Sequence, residues 1–301
     1  MDTVMLRYAI GLTLMYGLYF VVSEWGLKRR FTRGRQAIIA IAVLYVPCLL
    51  ILWLWIRGLP QVDVRPLDWG IGAYVIAFLA LFFSMPIMAF TGVLEAKLWG
   101  ESPEDLRRMN AQVLSTPLDY VATLALAPVM EEVFTRKFLY DRLAGRDILA
   151  FILFSALAFG LMHCVTGKLM VAFGTFYGGV IFALVYAASG NLWLPILYHG
   201  LFNVVMVMIP ERLIKGGHEK AAGVYRMGLM VAGTVGFILL MVKRSSLWPA
   251  ERAGDVWASI FTNAGTWIMA ATFSGMYIYR RCAMRRGGTE ARDGLPGDGV
   301  Q

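Results

Sequence analysis

Ionisable side chains interrupt three otherwise apolar stretches of this chain, and their types are those of a hydrolytic site. Residues 130–136 read Met-Glu-Glu-Val-Phe-Thr-Arg, residues 159–163 Phe-Gly-Leu-Met-His, and residues 199–203 His-Gly-Leu-Phe-Asn. A charge at the centre of a bilayer helix costs at least about 2.5–3.5 kcal/mol, so a chain keeps one only where it faces a protein interior or a wet cavity. Glu132 and Arg136 are four apart with the acid first, the favourable order for a helical ion pair. Glu131 lies about 100° round the same helix and has no local partner, so it needs one from another helix. Phe159 and His163, and His199 and Asn203, are further i, i+4 pairs that share a face. One histidine on an apolar helix reads first as a core residue. Two of them, with Glu131 and Asn203, would each be an unsatisfied buried group unless the three helices brought them into one cavity.

In such a cavity Glu131, beside His163, can hold a water and take its proton. His199 and Asn203 can donate to the oxyanion formed when that water attacks an amide carbonyl. Glu131, His163 and His199 could instead hold Zn²⁺, with water as the fourth ligand. The residue types alone leave both open. The amide of Asn203 is a poor zinc ligand and a good oxyanion donor, and Glu132 is committed to Arg136 rather than free to orient a metal-bound imidazole. A metal-independent reaction without a cofactor is therefore the expectation. Neither H-E-x-x-H nor G-x-S-x-G occurs, which removes the zincin and nucleophile-elbow schemes. Cys164 is about 100° round the helix from His163 and reads as a small buried hydrophobe. His218, beside Gly216 and Gly217, reads as a surface residue.

The elements that must position these groups are membrane helices. The chain has 301 residues, 58% of them hydrophobic and 16% charged, with a mean hydropathy of +0.63. A soluble domain carries about 25% charged residues. The composition thus implies an all-α fold, a polytopic transmembrane helical bundle of about eight to nine spans. The net charge of +8 sits beside apolar runs, as positive-inside topology requires, and does not imply nucleic acid. Cys48, Cys164 and Cys282 lie too far apart in sequence for a disulfide framework or a CxxC pair. Apolar runs predict spans over 4–22, 36–56, 70–94, 118–140, 148–165, 169–188 and 192–209, then 227–242 and 256–279. Lys28, Arg29, Arg30, Arg33 and Arg35 put the first loop in the cytoplasm and the N-terminus outside. Ser102, Pro103 and the acids after them start a helix whose Leu106, Met109, Val113 and Leu114 form an amphipathic stripe. Pro128, three residues before Glu131, predicts a kink or restart beside the site. Gly174 and Gly178 form a small-xxx-small pair for close helix approach. Residues 1–286 read as a single transmembrane domain with a catalytic core over about 118–209, and 287–301 as a disordered tail.

The three motifs, in this order and on three helices, resemble the signature of the CAAX protease and bacteriocin-processing family, the type II CAAX prenyl endopeptidase-like intramembrane proteases. Gly190-Asn191-Leu192-Trp193 and the run from Pro195 to His199 resemble that family's last core helices. The resemblance covers residues 118–209. It implies an intramembrane endopeptidase in which Glu131 activates water, His163 assists, His199 and Asn203 stabilise the oxyanion, and Glu132 and Arg136 form a structural pair beside Phe159. The family is also described as metallo-type, which would make Glu131, His163 and His199 the zinc ligands. Thr135-Arg136-Lys137 departs from the family's frequent Phe-Arg-Gly. The partners implied are the lipid bilayer and a membrane-embedded or lipidated peptide substrate, in a multi-pass protein of the bacterial inner (cytoplasmic) membrane. Two other classes are a bacteriocin-immunity or binding protein on the same fold and a proton-coupled transporter. The second predicts an internal repeat, which the sequence does not show.

Overall fold

The computed structural model describes residues 1–27, 46–102, 116–244 and 253–293, and among these every regular element is helical. The basic cluster at 28–35 and the amphipathic stripe at 106–114 lie outside the described residues. In chain order the helices are α1 (Asp2–Val21), α2 (Val46–Ile56), α3 (Ile71–Leu81), α4 (Ser84–Trp99), α5 (117–144), α6 (Ile148–Met162), α7 (Leu169–Ser189), α8 (Trp193–Lys215), α9 (Glu219–Val242), α10 (Ala253–Thr262) and α11 (Ala264–Asp293). Six stretches among the described residues are long and apolar enough to cross a membrane: 2–24, 71–99, 148–166, 169–189, 193–215 and 219–242. The protein is an integral membrane helical bundle.

α6 is apolar on every side and occupies the centre, with most of its residues buried; a helix of that pattern has no face to give to water. α7 lies against it where Gly160 leaves room, since a methyl there would sit 2.7 Å from Cβ of Phe176. The Gly174–Gly178 pair divides its work. A methyl at Gly174 would collide with Met88 of α4 at 2.4 Å, whereas one at Gly178 meets only Phe182, at 3.8 Å. α9 uses the same device on α3, through Gly233 and Gly236.

The structure corrects several boundaries. The stretch expected as one span over 256–279 is two helices, because Asn263 breaks it: its Oδ1 accepts from the Gly265 N–H and its Nδ2 donates to the Asp2 carbonyl. The short run at 227–242 is the last two thirds of a 24-residue helix beginning at Glu219. α11 runs to Asp293, into the stretch expected as a tail.

Two prolines shape the helices that carry the site. Pro128 in α5 follows a wide π-helical turn over Ala122–Leu126, and Pro210 in α8 follows another over Val204–Met208. α5 widens again over Val133–Lys137 and Tyr140–Ala144. Such turns cost backbone hydrogen bonding and concentrate at functional sites.

Candidate active site

α5, α6 and α8 bring the polar groups together beneath a lid of aromatic rings. One carboxylate oxygen of Glu131 lies 3.9 Å from Nε2 of His163 and 3.9 Å from Nε2 of His199. The partner that Glu131 lacks on its own helix is thus supplied by two others. Glu132 and Arg136 form the expected pair at 3.2 Å, both fully buried.

The opposite nitrogen of each imidazole has a different partner, and this difference decides what each ring can do. Nδ1 of His163 is 2.7 Å from the Phe159 carbonyl oxygen. A carbonyl only accepts, so this nitrogen carries the proton and Nε2 of the neutral ring faces Glu131 as a lone pair. Nδ1 of His199 is 2.9 Å from Oε1 of Glu132. The Oε1 atom paired with Arg136 also accepts, so the neutral His199 likewise presents a lone pair at Nε2. Unlike a carbonyl, a carboxylate can also serve as counter-ion to a proton carried at Nε2, so of the two rings His199 is the one placed to donate. Glu132 therefore serves both Arg136 and His199, a second duty that its i, i+4 spacing with Arg136 does not show.

Arg136 is held at both terminal nitrogens. Its guanidinium donates to Glu132, to the Thr135 hydroxyl and, at 3.3 Å, to the Gly179 carbonyl. It stacks over Phe159, 4.2 Å from the ring centroid, and reaches Phe182 at 5.5 Å. Those two rings also frame the imidazoles. Phe182 stacks on His199 at 4.8 Å and 19°, and Phe159 stands edge-on to both histidines. Phe182 and Gly179 escape a reading of the sequence because nothing distinguishes them from the other aromatics and glycines of an apolar helix. The one available sign is their three-residue spacing, which puts them on one side of α7.

Asn203 is placed differently from the other six. Its Nδ2 donates to the Thr123 carbonyl at 2.9 Å, so one of its two N–H bonds is directed at the α5 backbone. Cys164 is buried and His218 exposed, both as expected.

The turn after His163 is gripped by helices outside the three-motif core. Thr166 Oγ1 donates to the His163 carbonyl. Beyond it, the Glu95 carboxylate of α4 accepts from the Leu169 and Met170 N–H groups at 2.9 and 3.2 Å, and from the Tyr277 hydroxyl at 3.0 Å. Arg281 of α11 pairs with Glu95 and Glu101 and donates to the Gly167 carbonyl. Gly167 itself has φ of +71°, where a side chain is strained, and α11 leaves no space for one. Lys168, on the same turn, is held below the usual lysine range by its burial first and by the Arg281 charge second, with Glu95 opposing.

A zinc ion would need three of these groups as close, convergent ligands. Among the described residues no group of three or more His, Cys, Asp or Glu side chains is arranged to hold a metal ion.

The match to known proteins falls on this same assembly. Residues 113–205 match the family model described as type II CAAX prenyl endopeptidase Rce1-like. The similarity to that family is confined to this segment of the chain. All seven site residues lie inside the matched segment. "Putative membrane peptidase YdiL" of Bacillus subtilis (strain 168) is 23% identical over 201 residues, which cover 63% of this chain and 78% of that protein. An uncharacterized protein of Mycoplasma capricolum is 30% identical over 90 residues, 30% of this chain and 26% of that protein. No solved structure matches the chain.

Proposed function

We propose that this protein is an intramembrane endopeptidase that hydrolyses a peptide bond of a membrane-associated or C-terminal substrate segment by glutamate-activated water, in a bacterial inner membrane. The observation that carries this reading is the convergence of the Glu131 carboxylate on two imidazole Nε2 atoms at 3.9 Å each. A separation of that size is too long for a direct hydrogen bond and leaves a bridging water as the natural occupant.

In this scheme the water donates one hydrogen bond to Glu131 and one to the lone pair of the neutral His163. Glu131 takes the proton as the water oxygen attacks the amide carbonyl carbon. The developing oxyanion accepts from Nε2–H of the His199 imidazolium, which Glu132 supports from behind. Asn203 adds a second donor only through the N–H that does not reach Thr123. Collapse of the tetrahedral intermediate breaks the C–N bond, and the proton held by Glu131 passes to the leaving amine. One oxyanion donor of this kind is worth about 10²–10³ in kcat. No step needs a metal.

The test is cleavage of membrane-protein C-termini, compared between membranes with and without the protein. Glu131→Gln and His163→Ala are expected to reach wild-type membrane levels and to lose cleavage. Cleavage retained in both sinks the assignment, and a cellular phenotype retained in Glu131→Gln supports a binding or immunity role instead. Activity is also expected to survive a chelator. Loss that stoichiometric Zn²⁺ restores, with metal in the purified enzyme, would overturn the metal-independent scheme.

A further inference from the structure

In a π-helical turn the N–H of residue i bonds the carbonyl of residue i−5. Ala127 does so, reaching the Ala122 carbonyl, and Ile209 does so, reaching that of Val204. The next residue in each case is a proline, Pro128 or Pro210, which has no N–H to give. The carbonyls waiting for those missing donors are Thr123 and Val205. Part-buried backbone oxygens of this kind still need a partner, and inside a membrane bundle water is scarce.

Both carbonyls are met by a side chain from another helix. Asn203 Nδ2 donates to Thr123 O at 2.9 Å, and the Tyr225 hydroxyl donates to Val205 O at 3.1 Å. The same construction thus occurs twice: π turn, proline, orphaned carbonyl five residues back, donor from a neighbouring element. Around the first of them α8 approaches α5 closely, since a methyl on Gly200 would sit 3.2 Å from the Leu124 carbonyl oxygen.

We infer that Asn203 is a positioning residue whose amide replaces the hydrogen bond that Pro128 withholds from Thr123. It ties α8 to α5 eight residues before Glu131 and one turn after His199, and so sets how these two face each other. Tyr225 does the same for Pro210, away from the site. The tie does not depend on hydrolysis: it holds whatever reaction the site performs, and its test needs no substrate.

The experiment is a double-mutant cycle on the detergent-solubilised full chain, read by thermal unfolding and by ¹⁵N resonances of the imidazoles, of which the sequence has three. Asn203→Ala alone is expected to lower Tm by about 2–4 °C and to shift the His199 Nδ1–H resonance. Pro128→Ala supplies the missing N–H, so in that background Asn203→Ala is expected to change neither reading. Tyr225→Phe and Pro210→Ala should repeat the Tm pattern while leaving the His163 and His199 resonances in place. That second pair keeps the inference testable should Pro128→Ala fail to assemble. Equal losses from Asn203→Ala in both backgrounds, or none in either, overturn the inference. So does a Tyr225→Phe loss that Pro210→Ala does not abolish.

Discussion

At the scale of single residues the site depends on one buried charge balance. Arg136 neutralises Glu132, and Glu132 in turn orients His199. Removing Arg136 leaves a carboxylate in a dry interior, at a cost of about 3–5 kcal/mol. Arg136→Ala is accordingly expected to give low membrane yield, measured by immunoblot of purified membranes; normal yield with normal activity would contradict the pairing. Glu132→Gln probes the other duty. It keeps the size of the side chain but removes the anion behind His199 and beside the buried Arg136, so membrane yield is expected to fall as well and kinetics are read on the protein that assembles. The expected result is a loss in kcat with little change in KM. Gly179 is the third sensitive point, because a methyl there would lie 3.1 Å from Ala156 Cα and 3.2 Å from Arg136 Nη2. Overpacking of this sort costs about 1–3 kcal/mol, and Gly179→Ala should unfold at lower temperature than wild type.

At the scale of elements, the position of His163 is set by helices that do not carry the motifs. α4 and α11 hold the turn over 163–168 through Glu95, Tyr277 and Arg281, all buried at 7% exposure or less. Tyr277→Phe removes one hydrogen bond to Glu95 and leaves the charges intact. It is expected to cost about 1 kcal/mol and to reduce cleavage without changing membrane insertion. Wild-type kinetics in this variant would show that the turn holds its place without α11. α1 contributes from the other side: the Tyr8 hydroxyl donates to the Phe134 carbonyl and that of Tyr16 to the Met162 sulfur. Both contacts fall on the segments that carry Glu131 and His163.

At the scale of the whole molecule, the outside is as apolar as the centre. Ile71, Leu98, Trp193, Val224 and Val242 are each more than 70% exposed, a surface that only lipid covers at tolerable cost. Polar residues are drawn inward instead, to the site around Glu131, His163 and His199 and to the Glu95–Arg281 cluster. The protein should therefore stay in the membrane pellet after washing at high salt and at alkaline pH. Release into the supernatant would contradict an integral bundle.

Much of this was legible in the sequence for a simple reason: in a chain this apolar, any charged side chain inside a span signals a partner. The i, i+4 spacing gave the Glu132–Arg136 pair, and the lack of a local partner for Glu131 pointed to the histidines of other helices. The spans over 148–165 and 169–188 match α6 and α7 closely, because both are uninterrupted and end at a glycine turn. What only the tertiary structure decided is which atom faces which. The second bond of Glu132 to His199 runs between helices 67 residues apart, and no periodicity reports such a contact. Pro128 announced a disturbed helix, but not that the chain would widen ahead of it and leave the Thr123 carbonyl for Asn203. The break at Asn263 went unread for the same reason: its side chain bonds the backbone at Asp2, from the far end of the chain. Sequence patterns record local hydrogen bonding and burial, whereas these bonds exist only once distant segments have packed.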